Sequence, residues 1–212
     1  MHKISSQPAE QESQPAGDRL SSEDRYELQR FSHIFAAVVQ ELLEKKLLEE
    51  VSPYPLTLSQ FHLLKLISLN GQHQVGEVAD FLGVSSPAAT KNIDKLERLE
   101  LVSRTQSSDD RRAILLQSSR AGRRLVKKYE NLKAKRLETV MEAFTSSDLQ
   151  MFTRLLERFS TALIMTNESQ DGLCFRCSAY FDEHCPIMHI REDCPYQKLR
   201  QSRDCVVTKV GS

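Results

Sequence analysis

No apolar run in this 212-residue chain approaches the roughly 20 residues that a membrane-spanning helix needs. The stretch Met1 to Asp18 has no apolar core and does not read as a secretory signal. The expectation is therefore a cytoplasmic protein with no membrane partner. Cysteine is absent from the first 173 residues, and all five cysteines fall in the last 39. Without a secretion signal, metal binding or redox chemistry is expected of such a cluster ahead of disulfides. No Gly-rich phosphate loop occurs, no nucleophile can be aligned with a histidine and an aspartate, and the histidines are scattered. An enzyme is not expected.

Apolar residues make up 40% and charged residues 27%, ordinary values for a globular protein able to bury a real core. The net charge of zero hides a division. Residues 1–54 carry six Lys/Arg against ten Asp/Glu, a net of −4. Residues 55–128 carry twelve against seven, a net of +5, and residues 129–212 carry eleven against twelve. Positive charge thus collects in the middle, where release of counterions would favour a polyanion.

Residues 1–20 are rich in Gln, Ser, Glu and Pro with almost nothing to bury, and read as disordered. From Ser22 a long helix is predicted, with Phe31, Ile34, Phe35, Val38, Val39 and Leu42 at spacings of three and four, stopping before Ser52-Pro53. Thr57 is the N-cap of a helix through Leu58, Phe61, Leu64 and Ile67. Ser118-Ser119 caps another from Arg120 to Phe144, whose first third is strongly basic. Thr145 and Asp148 have capping-box spacing before a last helix bearing Leu149, Phe152, Leu155, Leu156, Phe159 and Leu163. Such long apolar stripes in charge-rich sequence are most simply buried against each other and against a second copy of the chain.

The central stretch, Gln74 to Leu116, predicts a short helix over Val75–Phe81, a turn at Gly83, and a second helix entered through Ser85-Ser86-Pro87 and reaching Leu99. Two short strands follow, Leu101–Arg104 and Ala113–Leu116, around a polar loop rich in arginine and aspartate. A helix-turn-helix followed by a basic hairpin suits a helix held in the major groove of DNA. The candidate contacts on the second helix are Ser86, Pro87, Ala88, Thr90, Lys91, Asn92 and Lys95, with Ile93, Leu96 and Leu99 turned inward. Lysines can reach phosphates or guanine edges, Asn92 has the groups that suit adenine, and Ala88 and the Thr90 methyl suit thymine methyls. At the hairpin tip Arg111 and Arg112 could enter a minor groove or pair with phosphates. Asp110 is then the partner that orients an arginine.

These residues resemble the multiple antibiotic resistance regulator (MarR) family of winged helix-turn-helix repressors. The family's wing pattern is close to Asp-Arg-Arg, an apolar strand, then Leu-Thr-x-x-Gly. Here Asp110-Arg111-Arg112, Ala113 to Leu116 and Ser118-Ser119-Arg120-Ala121-Gly122 stand in that order. Leu82-Gly83-Val84-Ser85 and Lys95-Leu96-Glu97-Arg98 also fit the family's helix-turn-helix, and the resemblance spans roughly residues 25–165. It implies a mainly α fold with a small β-wing, flanked by long dimerisation helices, with a DNA-reading core over about 57–118 of a 21–166 domain. It also implies a homodimer formed by the first and last two helices and binding pseudo-palindromic double-stranded DNA. Release from DNA by a small-molecule effector or by cysteine oxidation is implied as well. Two departures stand out: Ser118-Ser119 replaces Leu-Thr, and Glu100 stands where a glycine is expected after the recognition helix. A non-glycine held there at positive φ would cost on the order of 1 kcal/mol.

The family pattern does not account for residues 167–212. Cys174-Phe175-Arg176-Cys177 places two thiolates on one tight turn, and Cys185 and Cys194, each followed by proline, lie downstream. The four cysteines suit structural zinc, with His184 or His189 as substitute ligands, or an iron–sulfur cluster. Ligand type alone leaves zinc, a cluster and no metal open. Cys205 falls outside the pattern and reads as free. The sequence therefore points to a homodimeric DNA-binding regulator, a repressor by resemblance, with a metal-bearing extension that is structural or sensory. The competing readings are a metal-dependent enzyme or a protein-interaction module that uses the tail. The first meets a chemical obstacle: four cysteines would close the coordination shell that a catalytic zinc must leave open.

Overall fold

The computed structural model describes residues 20–69, 72–82, 84–106 and 114–166. The chain divides into two units, Met1–Gln40 and Glu41–Ser212. The first is described from Leu20 and is built on one helix, α1 (Ser22–Val38). The Ser21 hydroxyl accepts from the Asp24 amide at 3.0 Å, and Glu23 and Asp24 set negative charge in the first turn. Phe31, Ile34, Phe35 and Val38 form the anticipated stripe, and all four are exposed.

The predicted uninterrupted helix is helical from Ser22 to Val51 but not α throughout. Val39–Lys45 is π-helical, and α2 (Lys46–Val51) resumes the α pattern. The Tyr129 hydroxyl donates to the Leu43 carbonyl at 3.1 Å within that stretch.

In the second unit α3 (Leu58–Leu69) is the central element, packed on α5 (Ser86–Arg98), α6 (Arg120–Met141) and strand β3 (Ile114–Ser118). Thr57 caps it as expected. The Thr57 Oγ1 accepts from the Gln60 amide at 3.3 Å, and the Gln60 Oε1 accepts from the Thr57 amide at 3.1 Å. Leu63 and Leu66 are buried along with the anticipated Phe61, Leu64 and Ile67. A helix apolar nearly all round is one enclosed on nearly all sides. Phe61 and Tyr129 pack ring against ring, with centroids 4.4 Å apart.

The sheet has one more strand than the predicted hairpin. β1 (Gln72–Gln74) pairs antiparallel with β3, which pairs antiparallel with β2 (Val102–Gln106), so β3 is central. The sequence Gln-His-Gln carries no apolar alternation to announce a strand; the pairing of His73 with Leu116 creates it. Between β1 and the turn before α5 runs α4 (Val75–Leu82), with Val78 and Ala79 buried.

The Ser119 hydroxyl caps α6, accepting from the Gly122 amide at 3.0 Å. A Cβ on Gly122 would lie 2.4 Å from the Leu101 carbonyl oxygen, so the close seat of α6 on this corner requires glycine. The helix ends at Met141, three residues before the predicted Phe144. α7 (Ser146–Met165) opens with the expected capping box. Thr145 Oγ1 accepts from the Asp148 amide at 3.2 Å, and Asp148 Oδ2 accepts from the Thr145 amide at 3.1 Å. The Thr145 hydroxyl also donates to Asp148 Oδ2 at 2.6 Å, and this bond first and the Thr145 amide next hold the Asp148 pKa below its ordinary value. Phe152, Leu155, Phe159 and Leu163 on α7 are exposed.

A polar layer lies where α3 meets α6. Lys65, buried, pairs with Glu130 at 2.7 Å. Burial pushes the Lys65 pKa down against the opposing pull of Glu130. Burial, then the charges of Lys65 and Lys133, lower His62 to about 4, and burial raises Glu44. Each direction reports the cost of holding charge away from water.

Candidate nucleic-acid interface

Helix α5 owes its limits to its sequence. Pro87 sits in the first turn, where a missing N–H costs nothing. Leu99 closes the helix and Glu100 follows at φ 57°. The Glu100 amide donates to the Glu97 carbonyl at 2.8 Å and the Leu101 amide to the Leu96 carbonyl at 3.0 Å, a Schellman closure. Leu96 and Leu101, its hydrophobic pair, are both buried. The left-handed residue foreseen at Glu100 is therefore present, and it turns the chain from α5 into β2.

Ala89, Ile93 and Leu96 anchor α5 to the core. Opposite them Ser86, Pro87, Ala88 and Lys91 are exposed, while Thr90, Asn92 and Lys95 are half-buried. Asn92 Oδ1 accepts from Gln60 Nε2 at 3.5 Å, so its amide leans on α3. Gln60 thus uses its oxygen to cap α3 and its nitrogen to reach α5. Ser85 makes no side-chain cap bond, which leaves first-turn amides of α5 without a protein acceptor from that residue. A polar, uncapped N-terminal face with a lysine behind it can receive an anionic backbone.

At the flank of this face, Arg104 on β2 reaches α5 twice. One terminal nitrogen lies 2.7 Å from Glu97 Oε2 and the other 2.5 Å from Asp94 Oδ1. Sequence reasoning missed both Gln60 and Arg104. A signal for the arginine existed: strand alternation puts Arg104 on the same face as buried Val102, and a cation there needs carboxylates nearby. Asp110, Arg111 and Arg112 lie outside the described residues, as do Cys174, Cys177, His184, Cys185, His189, Cys194 and Cys205. Among the described residues no group of His, Cys, Asp and Glu is placed to hold a metal, and no helix is long and apolar enough to cross a membrane.

The MarR family profile matches residues 56–114, from two residues before α3 to the first residue of β3. An uncharacterized HTH-type transcriptional regulator of Bacillus subtilis, YwoH, is 30% identical over 121 residues, covering 56% of this chain and 85% of its own. The chain belongs to the MarR family. It is a DNA-binding transcriptional regulator of the winged-helix class, as the sequence motifs implied. The HTH-type transcriptional repressor MdtR of the same organism is 30% identical over 99 residues, 47% of this chain and 59% of that one. In fold, the chain superposes on RV1404 of Mycobacterium tuberculosis with TM-score 0.60 at 22% identity, covering 70% of this chain and 98% of that one. FabT of Streptococcus pneumoniae, solved in complex with DNA, gives TM-score 0.57 at 17% identity over 66% of this chain and 99% of that one.

Proposed function

We propose that this MarR-family chain acts as a homodimeric repressor that reads a pseudo-palindromic operator through α5, with Arg111 and Arg112 of the wing at the flanking minor groove. The observation that carries this reading is the exposed, uncapped face of α5 at Ser86, Pro87, Ala88 and Lys91, held against the core by Ala89, Ile93 and Leu96. Lys91 and Lys95 meet phosphates or guanine edges, Ala88 and Thr90 meet thymine methyls, and Asn92 reads adenine once Gln60 releases it. Asp110 orients a wing arginine. MdtR, a repressor by name, supports the sign of regulation, and FabT with DNA supports the mode of docking.

The exposed apolar faces of α1 and α7 support dimerisation. Two copies place two reading helices one helical turn of DNA apart, as half-site recognition requires. The Cys-rich extension, through Cys174, Cys177, Cys185 and Cys194 with His184 or His189 in reserve, holds zinc or an iron–sulfur cluster and makes the regulator responsive to metal or redox state. A small-molecule effector is a further input of this reading. The site of action is the cytoplasm, and the chain catalyses no reaction.

Selection of duplexes from a random-sequence library by the full-length, anaerobically purified protein tests the core of this reading. A pseudo-palindrome should emerge, bound with steep salt dependence. Changing Arg111 and Arg112 together to alanine should weaken binding about tenfold or more, with a salt slope shallower by about two. Retained affinity in that double variant would count against the wing assignment. Metal analysis of the same preparation, with its absorbance near about 400 nm, decides between zinc and a cluster; neither metal nor absorbance would end the sensory reading.

A further inference from the structure

Asp94 and Glu97 lie one turn apart on α5, and their side chains remain 47% and 39% exposed. The helical period sets Asp94 beside Pro87 and Lys91, on the face offered to DNA. Carboxylates at that position stand within a Debye length, about 10 Å at 0.1 M salt, of any phosphate that Lys91 reaches. Left bare they would repel it. Arg104 covers both at 2.5 and 2.7 Å, and its own side chain is 25% exposed. A planar guanidinium can bridge two carboxylates at once, which a lysine ammonium on a flexible stem does less well.

We propose that Arg104 is a positioning residue for DNA reading: it masks Asp94 and Glu97 from the phosphate backbone and fixes strand β2 to the recognition helix. The inference rests on α5 being the DNA-reading helix. Arg104 itself touches no DNA in this arrangement. Its contribution is to cut the acidic flank of the reading helix from two net negative charges to one, so that Lys91 and Lys95 face phosphate with less local competition.

The test uses full-length protein and a duplex enriched by the wild-type chain from a random-sequence library. A wild-type chain that enriches no duplex removes the reading beneath the proposal, and the proposal with it. On an enriched duplex, Arg104→Ala should bind about tenfold more weakly near 0.1 M salt, with a salt slope shallower by about one. Adding Asp94→Asn and Glu97→Gln to that variant should bring affinity back to within about threefold of wild type, because the charges needing a mask are gone. A deficit that stays constant with salt and persists in the triple variant would mean Arg104 is only a structural tie, and overturns the masking role. Wild-type affinity in Arg104→Ala overturns it as well. Should Arg104→Ala fail to fold, Asp94→Asn with Glu97→Gln, keeping Arg104, decides the matter. It should bind at least as tightly as wild type, and weaker binding refutes the proposal.

Discussion

Glu100 and Gly122 show how single residues set the corner on which the reading head turns. Glu100 adopts φ 57°, a conformation that costs a side-chain-bearing residue on the order of 1 kcal/mol and glycine almost nothing. Glu100→Gly should therefore raise stability by about 1 kcal/mol in denaturant unfolding, with no loss of DNA affinity. Gly122 is the reverse case. A methyl there meets the Leu101 carbonyl at 2.4 Å and the Leu64 Cδ1 at 3.0 Å, backbone and core atoms with little room to yield. Gly122→Ala should cost about 1–3 kcal/mol by overpacking. An unchanged melting temperature would show that α6 can slide away from the corner. The need for special backbone at position 100 was legible from the family pattern alone. The reason for glycine at 122 was not, since it depends on which carbonyl the first turn of α6 meets.

At the scale of elements, the polar layer between α3 and α6 ties the reading lobe to the 22-residue helix α6. Its titration follows from burial. His62 is held at about 4, below its ordinary 6.5, by burial first and by Lys65 and Lys133 next, with Glu130 opposing. The unfolded chain takes up a proton on this residue near pH 6.5 that the folded chain refuses until about pH 4. Stability from this group is therefore intact above pH 6.5 and falls as pH drops through the window, by at most about 3 kcal/mol. His62→Gln should flatten the stability–pH curve between those limits, as read by urea unfolding at each pH. Equal slopes in the two proteins would refute the assignment. Elements built on local signals were legible in sequence: the caps at Thr57, Ser119 and Thr145 stand where predicted. Strand β1 was not, because a polar triplet becomes a strand only when β3 offers it an edge.

For the whole molecule, the exposed apolar residues of α1 and α7 carry the largest consequence. Phe31, Ile34, Phe35 and Val38 on one helix, and Phe152, Leu155, Phe159 and Leu163 on the other, are exposed in the isolated chain. Contiguous apolar faces of this kind mark an association surface. Leu155→Glu should convert a dimer into a monomer by light scattering and lower operator affinity at least about tenfold, since only a dimer engages both half-sites. A variant that remains dimeric would place the interface away from α7.

By itself the sequence determined the order of elements, the helix caps, the inward face of α5 and the family. Each of these depends on spacing along the chain, where a period or a cap is written in neighbouring residues. Only the tertiary structure decided how the reading helix is held. Arg104 reaches Asp94 across ten residues, Gln60 reaches Asn92 across thirty-two, and Tyr129 reaches Leu43 across eighty-six. Such partners are chosen by proximity in space, which no local pattern encodes.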